Sequence, residues 1–96
     1  MERLSDDQVR DALVQLPGWE RAGETITRTF ELATFPAAID FVVRIAAAAE
    51  AANHHPDLDI RYRRVRVVLT THDAGGITGR DVELARAVDA AGEGDA

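Results

Sequence analysis

Residues 25–53 read TITRTFELATFPAAIDFVVRIAAAAEAAN, and the hydrophobic period changes inside that stretch. From Thr25 to Leu32 the chain alternates, with Ile26, Phe30 and Leu32 on one face and Thr25, Thr27 and Thr29 on the other. A period of two with one apolar face predicts a half-buried strand. From Thr34 the period lengthens. Thr34 is a capping residue, and Pro36 falls in the first helical turn, where a missing N–H costs nothing. Ile39, Val42, Ile45, Ala46 and Ala49 then recur at helical spacing and predict one buried face. The alanine-rich run to Ala52 favours helix and leaves little bulk, so a neighbour can pack close to it. Pro56 disfavours helical geometry at His55, which places the helix end near Asn53. A strand thus leads almost directly into a long helix.

Working upstream, Trp19 is expected to open a short strand that turns at Ala22-Gly23-Glu24 and pairs with residues 25–32 as a hairpin. Before it, Ser5 and Gln8 form a capping-box pattern. Val9, Ala12, Leu13 and Leu16 follow helical spacing, so a first helix is predicted over Asp6 to Gln15, stopped by Pro17-Gly18. Downstream, Asp59 to Tyr62 and Arg64 to Thr70 read as a second strand pair. Ile60 and Tyr62 fall on one face of the first strand, and Val65, Val67 and Leu69 on one face of the second. His72 to Gly76 reads as a loop with two permissive glycines. Thr78 and Asp81 then cap a third helix, with Ile77 and Val82 as its staple and Leu84, Ala85 and Val88 as its buried stripe. Gly92 to Ala96 reads as a frayed tail. The order is α-ββ-α-ββ-α. Strands in consecutive pairs with helices between them predict an α+β domain: a four-stranded antiparallel sheet with helices packed on one face. Residues 1–96 are expected to form this one domain.

Composition narrows the function. Of 96 residues, 46% are apolar, which supports a packed core. There is no cysteine, hence no disulfide framework and no thiolate zinc site. The apolar run Ile45 to Ala49 is too short to span a bilayer, and Met1-Glu2-Arg3-Leu4 opens no apolar leader, so a cytoplasmic protein without membrane association is expected. The net charge is −6, and all eleven basic residues are arginine. An acidic domain is a poor binder of phosphate backbones, so no nucleic-acid partner is expected. Arg61, Arg63, Arg64 and Arg66 cluster around Tyr62; an ion-paired outer face is the simpler reading of them than an anion site.

Three histidines remain, and they are grouped. His54 and His55 sit at a helix exit before Pro56, and His72 sits where the last strand meets a glycine loop. Element ends facing loops are common places for catalytic groups. Imidazole is the side chain whose ordinary titration falls between pH 5 and 8. Glu50 precedes His54 by one helical turn and is placed to orient it. Both His54 and His72 are expected to line an open pocket and not the core. No two histidines have the i,i+4 spacing of a helical zinc site, so no metal is expected. Ser5, the only serine, belongs to a cap, which leaves no nucleophile elbow.

Glu50, His54-His55-Pro56, Tyr62, His72 and Asp81 keep the spacing of a known pattern. It has a polar residue four before His-His-Pro, an aromatic six after the proline, a histidine ten further on, and an aspartate at the last helix. In these residues, in Gly18-Trp19, in Thr70-Thr71-His72 and in Gly76 to Asp81, the chain resembles the pterin-4a-carbinolamine dehydratases. Leu58 departs from that pattern where an aromatic often follows the proline, as does Arg63-Arg64 at the hairpin turn. The resemblance implies a hydro-lyase that removes water from a 4a-hydroxytetrahydropterin, in tetrahydrobiopterin or related pterin recycling, with no cofactor. It implies His54, His55 and His72 as catalytic groups. His54, His55, Pro56, Thr71, His72, Asp73 and Ala74 would hold the pterin, with Glu50 and Asp81 as orienting residues. A homodimer or homotetramer is also implied. Two alternatives stand beside it: a non-enzymatic oligomeric assembly factor on the same fold, and a dehydratase acting in molybdopterin metabolism.

Overall fold

The computed structural model describes residues 2–93. Its elements are α1 (Asp6–Val14), β1 (Glu20–Ala22), β2 (Thr25–Glu31), α2 (Phe35–Ala52), β3 (Asp57–Arg61), β4 (Arg64–Leu69), a short 3₁₀ turn (His72–Ala74) and α3 (Gly79–Glu93). The four strands form one antiparallel sheet in the order β1-β2-β4-β3, and the domain is α+β as expected. β2 and β4 share the centre. Their register pairs Ile26 with Leu69, Arg28 with Val67 and Phe30 with Val65, so these six side chains share the helix-facing side. Val65, Val67 and Leu69 are fully buried there, while Arg64 and Arg66 alternate outward. Val9, Leu16, Phe41, Ile45, Leu84 and Val88 close the same core from the helices.

The caps follow from local chemistry. Ser5 Oγ accepts from the Gln8 N–H at 3.1 Å, and Gln8 Oε1 accepts from the Ser5 N–H at 2.8 Å, completing the capping box of α1. Thr34 Oγ1 accepts from the Ala37 N–H at 3.1 Å and starts α2.

Several boundaries and faces differ from the sequence reading. α1 ends at Val14 with Gln15 as its cap. Trp19 precedes β1 and is buried. Its indole N–H donates to Asp89 Oδ1 at 2.9 Å, and its ring meets Phe30 edge-on at 6.4 Å. The buried stripe of α2 is Ala38, Phe41, Ile45 and Ala49; Ala46 is exposed and Ile39 half-buried. The spacing rule missed Phe41 because the neighbouring aliphatics fit a second face equally well. β2 ends at Glu31, and Leu32 continues the line only through its N–H to Arg63 O at 2.9 Å. β3 begins two residues early, at Asp57, directly after Pro56, which has no N–H to give a ladder. Tyr62 leaves the strand for the hairpin turn, at φ 53° and 71% exposed, so it shares no strand face with Ile60. β4 stops at Leu69, and His72–Ala74 is a 3₁₀ turn held by the Thr71–Gly76 bridge. α3 continues through Gly92 and Glu93; the rest of the expected frayed tail, residues 94–96, lies outside the described residues.

Arg28 sits on the inner side of β2 because its position in the pleat demands it. Asp89 of α3 meets its guanidinium at 2.9 Å, and the cation lies 4.4 Å from the centre of the Phe30 ring. The outer arginines are largely paired, Arg61 with Asp59, and Arg63 and Arg64 with Glu31.

Candidate active site

Three element ends meet at one corner of the sheet: the exit of α2, the end of β4 and the start of α3. At the exit of α2, Asn53 takes a left-handed conformation at φ 49°, and its N–H closes on Ala49 O and Glu50 O. This reversal sends two adjacent histidines in opposite directions. His54 turns inward and is only 8% exposed. His55 turns outward, its side chain 59% exposed.

Behind His54 lies Asp81, in the first turn of α3 and wholly buried. Its Oδ1 is 2.5 Å from His54 Nε2. Its Oδ2 accepts from Thr71 Oγ1 and from the Thr78 N–H, each at 2.9 Å. A helix start favours a carboxylate, because the first N–H groups point toward it. Asp81 therefore caps α3 and holds His54 at once.

The expected partner of His54 was Glu50, and the structure corrects this. Glu50 Oε2 lies 2.5 Å from His55 Nε2, because the Asn53 reversal carries His54 away from the outer face of α2. Both His54 and His72 line one recess; His72 is exposed, whereas His54, expected to lie outside the core, is buried against Asp81.

A recess of about 220 Å³ gathers His54, His55, His72, Thr71 and Asp73. Asn53, Thr70 and Arg80 also line it, and sequence reasoning did not assign them to a site. Arg80 carried one signal: it directly precedes Asp81 at the start of α3. Pro56 and Ala74, expected beside the substrate, are not among the lining residues. Thr71 lines the recess, but its side chain is committed: the hydroxyl bonds Asp81 and Thr78, and the backbone N–H bonds Gly76. A second hollow of about 400 Å³ lies beyond His54 and shares His54 and Arg80 with the first. Small-molecule sites usually run to about 300–1,000 Å³, a range the second hollow reaches and the recess does not. A larger hollow of about 570 Å³ lies at the N-terminal segment, but its charged groups are engaged with one another, Arg21 with Asp6 at 2.8 Å and Arg3 with Glu24 at 3.6 Å. It contains no histidine. Among the described residues no group of three or more His, Cys, Asp or Glu is placed to hold a metal ion, and no helix is long and apolar enough to cross a membrane.

Chemically the corner offers a buried imidazole on a carboxylate, an exposed imidazole on a second carboxylate, and a third imidazole with no hydrogen-bond partner among the described residues. Such a set can both give and take protons.

Comparison with known proteins agrees on the kind of molecule. The family model described as pterin 4 alpha carbinolamine dehydratase matches residues 2–91. Relatives from Nocardia farcinica and Chloroflexus aurantiacus, both named provisionally as pterin-4-alpha-carbinolamine dehydratases, are each 57% identical. The first match covers 92% of this chain and 93% of the relative, the second 93% and 96%. Among solved structures, a transcriptional coactivator/pterin dehydratase from Brucella melitensis superimposes with a TM-score of 0.92 at 36% identity, covering 95% of this chain and 99% of that one. A pterin dehydratase-like protein identified as a RuBisCO assembly factor of the alpha-carboxysome shares the fold, with a TM-score of 0.67 at 20% identity over 78% of this chain and 89% of its own.

Proposed function

The chain belongs to the pterin-4a-carbinolamine dehydratase family, and from that premise we propose that it removes water from a 4a-hydroxytetrahydropterin. The C4a–O bond breaks, the C4a=N5 bond forms, and the product is a quinonoid dihydropterin plus water. Hydroxide is a poor leaving group, so the departing oxygen needs a proton from an acid. N5–H must in turn give its proton to a base. His54 and His72 take these two tasks, and His55, oriented by Glu50, binds the ring and shares in proton transfer. Each positioned acid or base supplies typically about 10²–10⁴-fold. The single observation that carries this reading is the convergence of all three histidines on one recess, two of them on carboxylates. A stopped-flow assay on chemically generated 4a-hydroxytetrahydropterin tests it. Dehydration well above the buffer rate is expected, and no acceleration by pure folded protein would sink the proposal.

A purely structural role in assembly gives no reason for all three histidines to line one recess, so the enzymatic reading is preferred. Recycling of tetrahydrobiopterin or a related pterin in the cytoplasm is the setting we propose. The free edge of β3 and the exposed Phe35 and Val43 on α2 favour a homodimer or homotetramer. Light scattering on the eluting protein is expected to give two or four times the 10.4 kDa chain mass.

Glu50→Gln is expected to slow turnover less than about tenfold, with no measurable loss of stability. The pair it breaks is exposed on both sides, and such pairs contribute about 0–1 kcal/mol. A hundredfold loss in the same assay would mean that Glu50 itself handles a proton.

A further inference from the structure

The hydrogen bonds behind His54 have only one consistent direction. Thr71 Oγ1 donates its single proton to Asp81 Oδ2, so in the 2.8 Å contact between the two hydroxyls Thr78 must be the donor. Thr78 Oγ1 in turn accepts from the Arg80 N–H at 3.2 Å. Asp81 Oδ2 also accepts from the Thr78 N–H. Asp81 Oδ1 faces only His54 Nε2. Asp81 already accepts two hydrogen bonds and a carboxylate has no proton to give, so the ring nitrogen is the donor in this contact. The other ring nitrogen, Nδ1, has no hydrogen-bond partner among the described residues. No buried side-chain nitrogen or oxygen among them lacks a partner, so Nδ1 must reach a surface that His54 presents to one of the two hollows it lines.

We infer that Asp81, aligned by Thr71 and Thr78, locks neutral His54 as its Nε2–H tautomer, so that Nδ1 is the nitrogen that exchanges a proton with the substrate. The catalytic half of this inference rests on the dehydratase reading; the tautomer half does not. Asp81 is then a positioning residue that acts through His54. As a base, His54 takes the proton onto Nδ1 while Nε2–H stays on Asp81; as an acid, it returns that same proton.

Asparagine at position 81 reverses this logic. Its amide oxygen can accept from Thr71 and Thr78, which leaves the NH₂ group facing Nε2. Nε2 must then be an acceptor, and the proton moves to Nδ1, where it blocks proton uptake.

The test is ¹⁵N NMR of protein labelled at histidine, above the imidazole titration range. Only three rings contribute, and His55→Gln and His72→Gln identify the remaining one. The wild type is expected to show His54 with protonated Nε2 and bare Nδ1. Asp81→Asn is expected to show the opposite tautomer, together with a loss of turnover on the order of 10²–10⁴-fold. A wild-type His54 protonated at Nδ1 overturns the inference without any variant, so it stays testable even if Asp81→Asn fails to fold. A reversed tautomer with undiminished turnover overturns the assignment of Nδ1. The expected tautomer in a protein that never dehydrates the carbinolamine removes the reaction and leaves the tautomer assignment standing.

Discussion

Replacing His54 and His72 together is expected to bring carbinolamine dehydration close to the uncatalysed rate, while either replacement alone costs about 10–10³-fold. The asymmetry follows from the geometry proposed for the site. His54 comes from the exit of α2 and His72 from the end of β4, so they approach a bound ring from different elements. With one gone, the other and His55 can still move one of the two protons, and the lost step falls to water. With both gone, only the exposed His55 and binding remain. The two positions differ in what they cost the fold. His72 is exposed, and His72→Ala should leave stability within about 0.5 kcal/mol. His54→Ala strips Asp81 of a buried partner, and leaving such a group short costs about 1–3 kcal/mol. Glutamine at position 54 retains a donor for Asp81 and is the better partner for the double variant. Stopped-flow rates of the two singles and the double, with circular dichroism for folding, decide the matter. Near-normal turnover in the double variant would place the chemistry elsewhere.

The same region shows what the chain discloses before it is folded. The placing of the histidines at element ends and the capping role of Asp81 follow from local rules: a proline that ends a helix, a glycine loop after a strand, a threonine three residues before an aspartate; that the histidines act together was implied by the family resemblance. The pairing of carboxylates with imidazoles does not follow from those rules. Glu50 stands in i,i+4 register with His54, and on a continuing helix that register would have prevailed. One residue, Asn53, leaves the helix in a left-handed conformation and exchanges the partners. Asp81 is 27 residues from His54, and nothing local announces their contact. Arg80, noted only within the Gly76 to Asp81 stretch, was given no site role for a related reason, since an arginine at a helix start is ordinary until two hollows open beside it. In the sheet, Val65, Val67 and Leu69 were legible because residues 64–67 alternate strictly and Leu69 keeps the same phase past Val68. On β2 the alternation placed an arginine among the inward residues, and only the long-range contact with Asp89 explains how the core accepts it.

Phe41→Ala is expected to produce the largest loss of stability at any single position considered, about 3–5 kcal/mol. The ring is fully buried beneath the sheet and meets Phe30 at 4.8 Å between centroids, tilted by 60°. Phe30 also contacts Trp19 and carries the Arg28 cation, so truncation at position 41 removes one wall of a cluster joining α2, β2 and the Trp19 segment. The space cannot collapse easily. Ala38 and Ile45, a helical turn to either side, are already at 0% exposure, and Val65 and Val67 are fixed by the central ladder. A domain of this size holds about 5–15 kcal/mol in all, so the variant should sit near the edge of folding. Urea denaturation is the measurement: a midpoint lowered by more than 1 M with the slope unchanged is the expected result, taking a slope of about 1–3 kcal/mol per molar for small domains. Had the buried stripe of α2 been centred as spacing alone suggested, on Ile39, Val42, Ile45, Ala46 and Ala49, position 41 would lie at its margin and the midpoint would move far less. A shift of less than about 0.3 M would restore that placement and overturn the one described, by the same slope.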